Sequence, residues 1–331
     1  MWLDELIENY RLAKTEMATF MPYESVHWQR LNAGFEDRLS SIELWQNFRN
    51  NRLSHGLDDA NFYAGLKEIP NLEEAIKKRS QVLRSHGENI HELARESPVG
   101  APKTVKVNDI PVSLASLDFA YFASQLAAPI LDKLSQPLLV VEIGGGFGGL
   151  ARVLKRLFPK MSYVMLDLPE ALAMSTYYLQ QNFPEARLCL LRDFLEKQEN
   201  WDPSQYDFSL LPGWRSGALK ERSVEVFINT RSMMEMQKHV IATYFAEIQR
   251  SLKIGGIFYC ANRYIKRIGQ EDVCLADYPF DAYWEFLLSK PKWGQKHIHE
   301  LIGKRTTTAA SLPHAALQEV RELGKSAKAV L

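Results

Sequence analysis

Apolar positions along the first ninety-odd residues recur at helical spacing. Leu3, Leu6, Ile7 and Tyr10 share one face. Leu72, Ile76, Leu83, Ile90 and Leu93 do the same in a charged segment from about 71 to 95, which Pro70 and Asn71 introduce. Between them Trp28, Phe35, Trp45, Phe48, Phe62 and Tyr63 read as core aromatics. The stretch ESPVGAPKTVKVNDIP (96–111) holds three prolines and a glycine and reads as a linker. A further helix over about 116–134 leads into Pro137.

The pattern then changes to alternating strands and helices. Leu138–Ile143 is a short apolar strand carrying Glu142 near its end. Leu150, Val153, Leu154, Leu157 and Phe158 form one face of a helix that Pro159 follows. Tyr163–Leu166 is a strand ending in Asp167, and 170–182 suits a helix. Val224–Asn229 is another strand, followed by a helix with Val240, Ile241, Tyr244, Phe245, Ile248 and Leu252 on one face. Gly255 and Gly256 stop that helix, and Ile257–Ala261 is the next strand. Both Arg187–Leu191 and Asp207–Leu211 can fill the third strand. Such alternation predicts an α/β fold, a parallel sheet with helices on both faces. The expected organisation is a helical N-terminal cap over 1–110, an α/β domain over 111–305 and a tail over 306–331 that ends in a helix.

Composition narrows the class. Lys+Arg and Asp+Glu balance at 40 each in 331 residues, which argues against an electrostatic nucleic-acid binder. The three cysteines, Cys189, Cys260 and Cys274, form no CxxC and read as reduced thiols. The N-terminus has no apolar signal region, and no run approaches a membrane span, so a cytoplasmic protein is expected. A homo-oligomer is compatible with the sequence.

The chemistry gathers at VVEIGGGFGG (140–149). A strand, a bare turn and a helix start let a ligand approach backbone N–H groups. Gly144, Gly146 and Gly149 fit GxGxxG, and Asp167 stands where a carboxylate takes ribose hydroxyls. Both NAD and S-adenosylmethionine (SAM) fit so far. Glu142, two residues before the first glycine, favours a ligand with a cationic amino-acid end and would repel a pyrophosphate. The long helical region ahead of the loop and the missing catalytic pair of a dehydrogenase point the same way.

EIGGGFGGLARVL, VMLDLPEAL and VEVFINTRSMMEM…YFAEIQRSLKIGGIFYCANRY resemble a class I SAM-dependent methyltransferase. More narrowly they resemble a bacterial family assigned as sugar O-methyltransferases, over roughly 95–300. That resemblance implies a Rossmann-like methyltransferase sheet. It implies that Glu142 and Gly144, Gly145 and Gly146 hold the methionine end, that Asp167 takes the ribose with Leu168 beside the adenine, and that Trp214 and Asn229 lie near the adenine and sulfonium. The acceptor would be a sugar, glycoside or similar small polar molecule.

Methyl transfer to an alcohol needs alignment and removal of a proton. Glu235 and His239, four residues apart after the fourth strand, are the candidate base and its orienter. Glu235 is equally placed to form a capping box with Ser232. Plant small-molecule O-methyltransferases carry a catalytic His in this neighbourhood, where this chain has Met233 and Met234. His55, Asn262 and Arg263 are candidates for the acceptor. A divalent metal would also lower a hydroxyl pKa, but no ligand set indicates one, and His297 and His299 lack an obvious third ligand. Two rivals remain: an NAD-dependent oxidoreductase on a nucleotide sugar, and a non-catalytic SAM-fold partner subunit.

Overall fold

Leu138–Ile143 (β3) seeds the central sheet because every one of its side chains finds a covered face. The computed structural model describes residues 2–20, 23–50, 72–83, 90–133 and 136–328. The polar loop holding His55, and the expected core residues Phe62 and Tyr63, lie outside the described residues.

The helices are α1 (Trp2–Met17), α2 (Val26–Asn32), α3 (Ile42–Gln46), α4 (Leu72–Leu83), α5 (Ile90–Leu93), α6 (Leu114–Ala127), α7 (Gly149–Leu157), α8 (Pro169–Asn182), α9 (Leu191–Lys197), α10 (Lys238–Ser251) and α11 (Ala315–Lys328). A small hairpin pairs β1 (Val105–Val107) with β2 (Ile110–Val112) in the segment expected to be a linker. The main strands after β3 are β4 (Met161–Asp167), β5 (Leu188–Cys189), β6 (Phe208–Pro212), β7 (Val224–Thr230) and β8 (Leu252–Arg263). A second hairpin, β9 (Ile265–Ile268) with β10 (Glu271–Cys274), precedes β11 (Trp284–Pro291) and β12 (Ile298–Arg305).

The eight-stranded sheet runs β11-β12-β8-β7-β3-β4-β6-β5. Strands β5, β6, β4, β3, β7 and β8 are parallel, and β12 inserts antiparallel beside β8 with β11 outside it. This is the Rossmann-like α/β sheet the alternation predicts. Both candidates for the third strand are used: β6 lies beside β4, and the two-residue β5 closes the edge. Gly255 and Gly256 do not stop a helix. They sit inside β8, where Gly255 takes a left-handed φ of 80° and the register against β7 shifts.

Period-two alternation splits the strands between two cores. Val140, Tyr163, Met165, Val226 and Ile228 face a cluster shared with α1, α6, α7 and α8. Val141, Ile143, Val164, Leu166 and Phe227 face one shared with α9, α10 and α11. The N-terminal helices thus pack into the core of the sheet. Helix α1 lies along α8, where buried Glu170 accepts hydrogen bonds from Lys14 Nζ (2.8 Å), Asn32 Nδ2 (3.2 Å) and Tyr10 Oη (3.3 Å).

A buried ion pair, Arg49 Nη1 to Glu96 Oε1 at 2.9 Å, joins the chain after α3 to the segment before β1. Glu96 also accepts from Ser113 Oγ and from Ser97 N, and the Arg49 guanidinium lies 4.9 Å over the Phe147 ring. Arg49 beside it holds the Glu96 carboxyl below its ordinary range despite the opposing effect of burial. Its stabilisation is present above the unfolded carboxylate pKa and is lost as pH falls through the folded value. Glu96→Ala should destabilise by about 3–5 kcal/mol by stranding a buried guanidinium. A urea-denaturation midpoint indistinguishable from wild type at pH 7 would contradict this.

Candidate functional site

The sheet order reverses at β3, between β4 and β7, and the turn after β3 opens a crevice there. Gly144 and Gly146 take left-handed φ angles of 74° and 59°. A Cβ on Gly144 would lie 1.9 Å from Ser232 Oγ, and one on Gly145 would lie 2.5 Å from Glu142 Oε2. The turn therefore has no room for side chains on either neighbour of the ligand path. Gly148, with φ of 88°, caps α7 without a side chain.

Two carboxylates hold this turn. Glu142 is 1% exposed and accepts a 2.6 Å hydrogen bond from Tyr163 Oη. Asp167, half-buried at the end of β4, accepts from Gly146 N (2.9 Å) and from Leu168 N (2.7 Å). Burial pushes the Glu142 carboxyl up to about 7, against the Tyr163 hydrogen bond that favours its charge. Burial likewise pushes Asp167 up to about 7, against its two backbone donors.

A cavity of about 430 Å³ extends from this turn. Glu142, the three glycines, Asp167, Leu168, Trp214 and Tyr244 line it. The Trp214 indole N–H donates to Glu16 Oε2 of α1 at 3.1 Å, and its ring stacks on Phe20 at 5.7 Å. Tyr23, Ser25, Trp28 and Asn32 of the N-terminal region also line the cavity. Arg231, Glu235, Arg263, Lys296 and His297 also line it.

Asn229 and Asn262 do not line the cavity. Asn229 is fully buried at the end of β7. Its Nδ2 donates to Ile143 O (2.8 Å) and Ser232 Oγ (2.6 Å), and its Oδ1 accepts from Met233 N (3.2 Å) and Asn262 Nδ2 (2.8 Å). Asn262 in turn accepts from Met234 N at 3.1 Å. The side-chain polar atoms of this pair are spent on the neighbouring loops and on each other.

Glu235 and His239 are not brought together. Glu235 ends a short 3-10 turn over Met233–Glu235, and α10 begins only at Lys238. Glu235 faces the cavity, where Lys266 pairs with it, whereas His239 is exposed and outside the cavity lining. The capping box does not form, because the Ser232 hydroxyl donates instead to Ile143 O at 2.9 Å. His299 is buried in β12 between Tyr264 Oη (3.0 Å) and Ser289 Oγ (2.9 Å), away from His297. No group of three or more His, Cys, Asp or Glu among the described residues could hold a metal ion.

Arg231 and His297 line the cavity without having been assigned to the acceptor from the sequence. Arg231 follows β7 with a left-handed φ of 63°, rare for a non-glycine, and its Nη1 lies 3.6 Å from Asp118 Oδ2. His297 enters from the loop before β12. Burial, then the nearby Arg263, Lys292 and Arg231, push its pKa down, so it is neutral at pH 7. The missing signal was β12 itself: without that strand, His297 had no neighbours to assign.

Comparison with known proteins adds little. No family model matches the chain. An O-methyltransferase of Armillaria gallica is 42% identical over 54 residues, which are 16% of this chain and 11% of that protein. The chain thus spans about a tenth of the length of that curated relative. Among solved structures, a protein assigned as a sarcosine dimethylglycine methyltransferase from Galdieria sulphuraria matches at 14% identity and TM-score 0.39, over 58% of this chain and 86% of its own. The mitomycin 7-O-methyltransferase MmcR matches at 14% and 0.34, over 75% and 71%. A geranyl diphosphate C-methyltransferase from Streptomyces coelicolor matches at 15% and 0.36, over 58% and 81%. Likenesses at this level assign no activity and no acceptor.

Asn229→Ala removes the link between the ends of β3, β7 and β8 and leaves buried partners unsatisfied. It should cost about 1–3 kcal/mol and lower the melting temperature with unchanged circular dichroism. A melting temperature equal to wild type would argue that the link is dispensable.

Proposed function

We propose that the protein is a SAM-dependent O-methyltransferase acting on a hydroxyl of a sugar, glycoside or similar small polar acceptor. The observation that carries this reading is the pair Glu142 and Asp167, lining the cavity around a turn too tight for side chains. A cationic amino-acid end suits Glu142, and vicinal ribose hydroxyls suit Asp167 beside the free face of the glycine turn. Leu168 and Trp214 supply apolar surface for an adenine. When bound, SAM would supply the activated methyl group. We read residues 1–110 as a cap on the 111–305 domain, with Tyr23, Trp28 and Asn32 closing the cavity over the acceptor. No helix among the described residues is long and apolar enough to cross a membrane, and the three cysteines are free, which supports the cytoplasmic setting we propose.

The chain's own work is then to orient a hydroxyl and take its proton. His297 is the base we assign, because it is neutral at pH 7 and faces the cavity. Glu235, paired with Lys266, is placed to orient the acceptor, and Arg231 and Arg263 to stabilise the oxygen as it loses its proton. The exposed position of His239 removes it from this set.

Calorimetry with S-adenosylhomocysteine tests the cofactor end. Asp167→Asn should weaken binding about ten- to a hundredfold, the value of one or two charge-assisted hydrogen bonds. Because burial raises both acids to about 7, wild-type binding should tighten as pH rises from 6 to 8, with protons released on binding. Unchanged affinity in Asp167→Asn, or tight binding of NADH in its place, would remove the assignment. His297→Asn should lower kcat about a hundredfold or more while S-adenosylhomocysteine still binds. A kcat within a factor of two or so of wild type would return the base role to Glu235.

A further inference from the structure

Three cations, Arg231, Arg263 and Lys296, line the cavity together with Glu142, Asp167 and Glu235. Of the lining residues, Arg231 belongs to a buried cluster in which it, Arg79 and Lys292 converge on the carboxylate of Asp118, with buried Glu300 also acting on Lys292. Lys292 Nζ is wholly buried, 3.3 Å from Asp118 Oδ1, and lies 5.1 Å over the rings of both Tyr121 and Phe122. Glu235 in the lining is matched by Lys266. That leaves Arg263 and Lys296 in the lining with no carboxylate paired to them among the described residues. The Arg263 Nε is buried without a hydrogen-bond partner, while its backbone N–H is turned to Met234 Sδ at 3.4 Å. His297 stands among these groups and is held neutral, so it adds no charge of its own.

A site for a neutral glycoside has no use for this surplus. Hydroxyls are served by mixed donors and acceptors, and a buried guanidinium N–H such as that of Arg263 costs stability when it has no acceptor. A planar guanidinium with a free edge suits an oxyanion bidentately, and a nearby ammonium adds a point charge. We infer that the acceptor carries an acidic group, a carboxylate or a phosphate, seated between Arg263, Arg231 and Lys296, with its reacting hydroxyl turned toward the glycine turn. The inference rests on the methyltransferase reading for the identity of that hydroxyl, but not for the anion site itself. The same cations that seat the acid lower the pKa of an adjacent hydroxyl, so recognition and activation share residues.

The test titrates three probes into ligand-free protein and into protein loaded with S-adenosylhomocysteine: methyl β-D-glucuronide, glucose 6-phosphate and methyl β-D-glucoside. At least one acidic probe should bind about tenfold or more tighter than the glucoside, the least that a charge-assisted bidentate contact supplies. Preference for the glucuronide identifies a carboxylate acceptor, and preference for glucose 6-phosphate a phosphorylated one. Arg263→Gln should abolish that preference, and Arg263→Lys should restore part of it, while S-adenosylhomocysteine affinity stays at the wild-type value in both. Equal binding of the neutral glucoside, no binding of either acidic probe, or a preference that survives Arg263→Gln overturns the inference. Protein that ignores S-adenosylhomocysteine yet selects an acidic probe overturns the cofactor reading and leaves the anion site standing.

Discussion

One buried amide fixes the geometry on which the cavity depends. Asn229 ties the carboxyl end of β3 to the ends of β7 and β8 through its own four hydrogen bonds. Ile143 O accepts from both Asn229 and Ser232. Ser232 Oγ then occupies the space that a side chain on Gly144 would need. Turn, serine and asparagine are therefore one unit, and each restricts what the others can be. Because every polar atom in it is satisfied, the low dielectric of the interior strengthens the link and does not penalise it.

The wall opposite is held by different means. Glu170, the residue after the proline that opens α8, gathers Lys14, Tyr10 and Asn32 from the N-terminal helices. Arg49 and Glu96 do the same for the chain between α3 and β1, and the guanidinium braces Phe147 within the glycine turn. Helix α1 also reaches Trp214 through Glu16. The N-terminal region is thus fastened to the sheet around the cavity, which makes its aromatic residues a fixed part of the lining.

The parallel half of the sheet was legible because its strands are apolar on both faces and its helices repeat with a clear period. Glu142, the glycines and Asp167 were legible because they stand at strand ends, where topology alone decides what they face. Asn229 misled for the same reason. A polar residue at a strand end can point at a ligand or at a neighbouring carbonyl, and its identity does not distinguish the two. Glu235 and His239 misled because i, i+4 spacing was taken for one helix, whereas Ser232 spends its hydroxyl on Ile143 and the helix starts late. β11 and β12 went unread since WEFLLSKP and IHELIGKR carry charges, a proline and no clean alternation, so their pairing is set by β8.

Arg231 sits in a backbone conformation that glycine or asparagine would adopt with about 1 kcal/mol less strain. Either would keep the loop and relax it, yet neither carries a guanidinium. The position is therefore one where comfort of the main chain and usefulness of the side chain pull apart. Relatives that have traded the arginine for a smaller residue there should be sturdier proteins with a differently charged chamber.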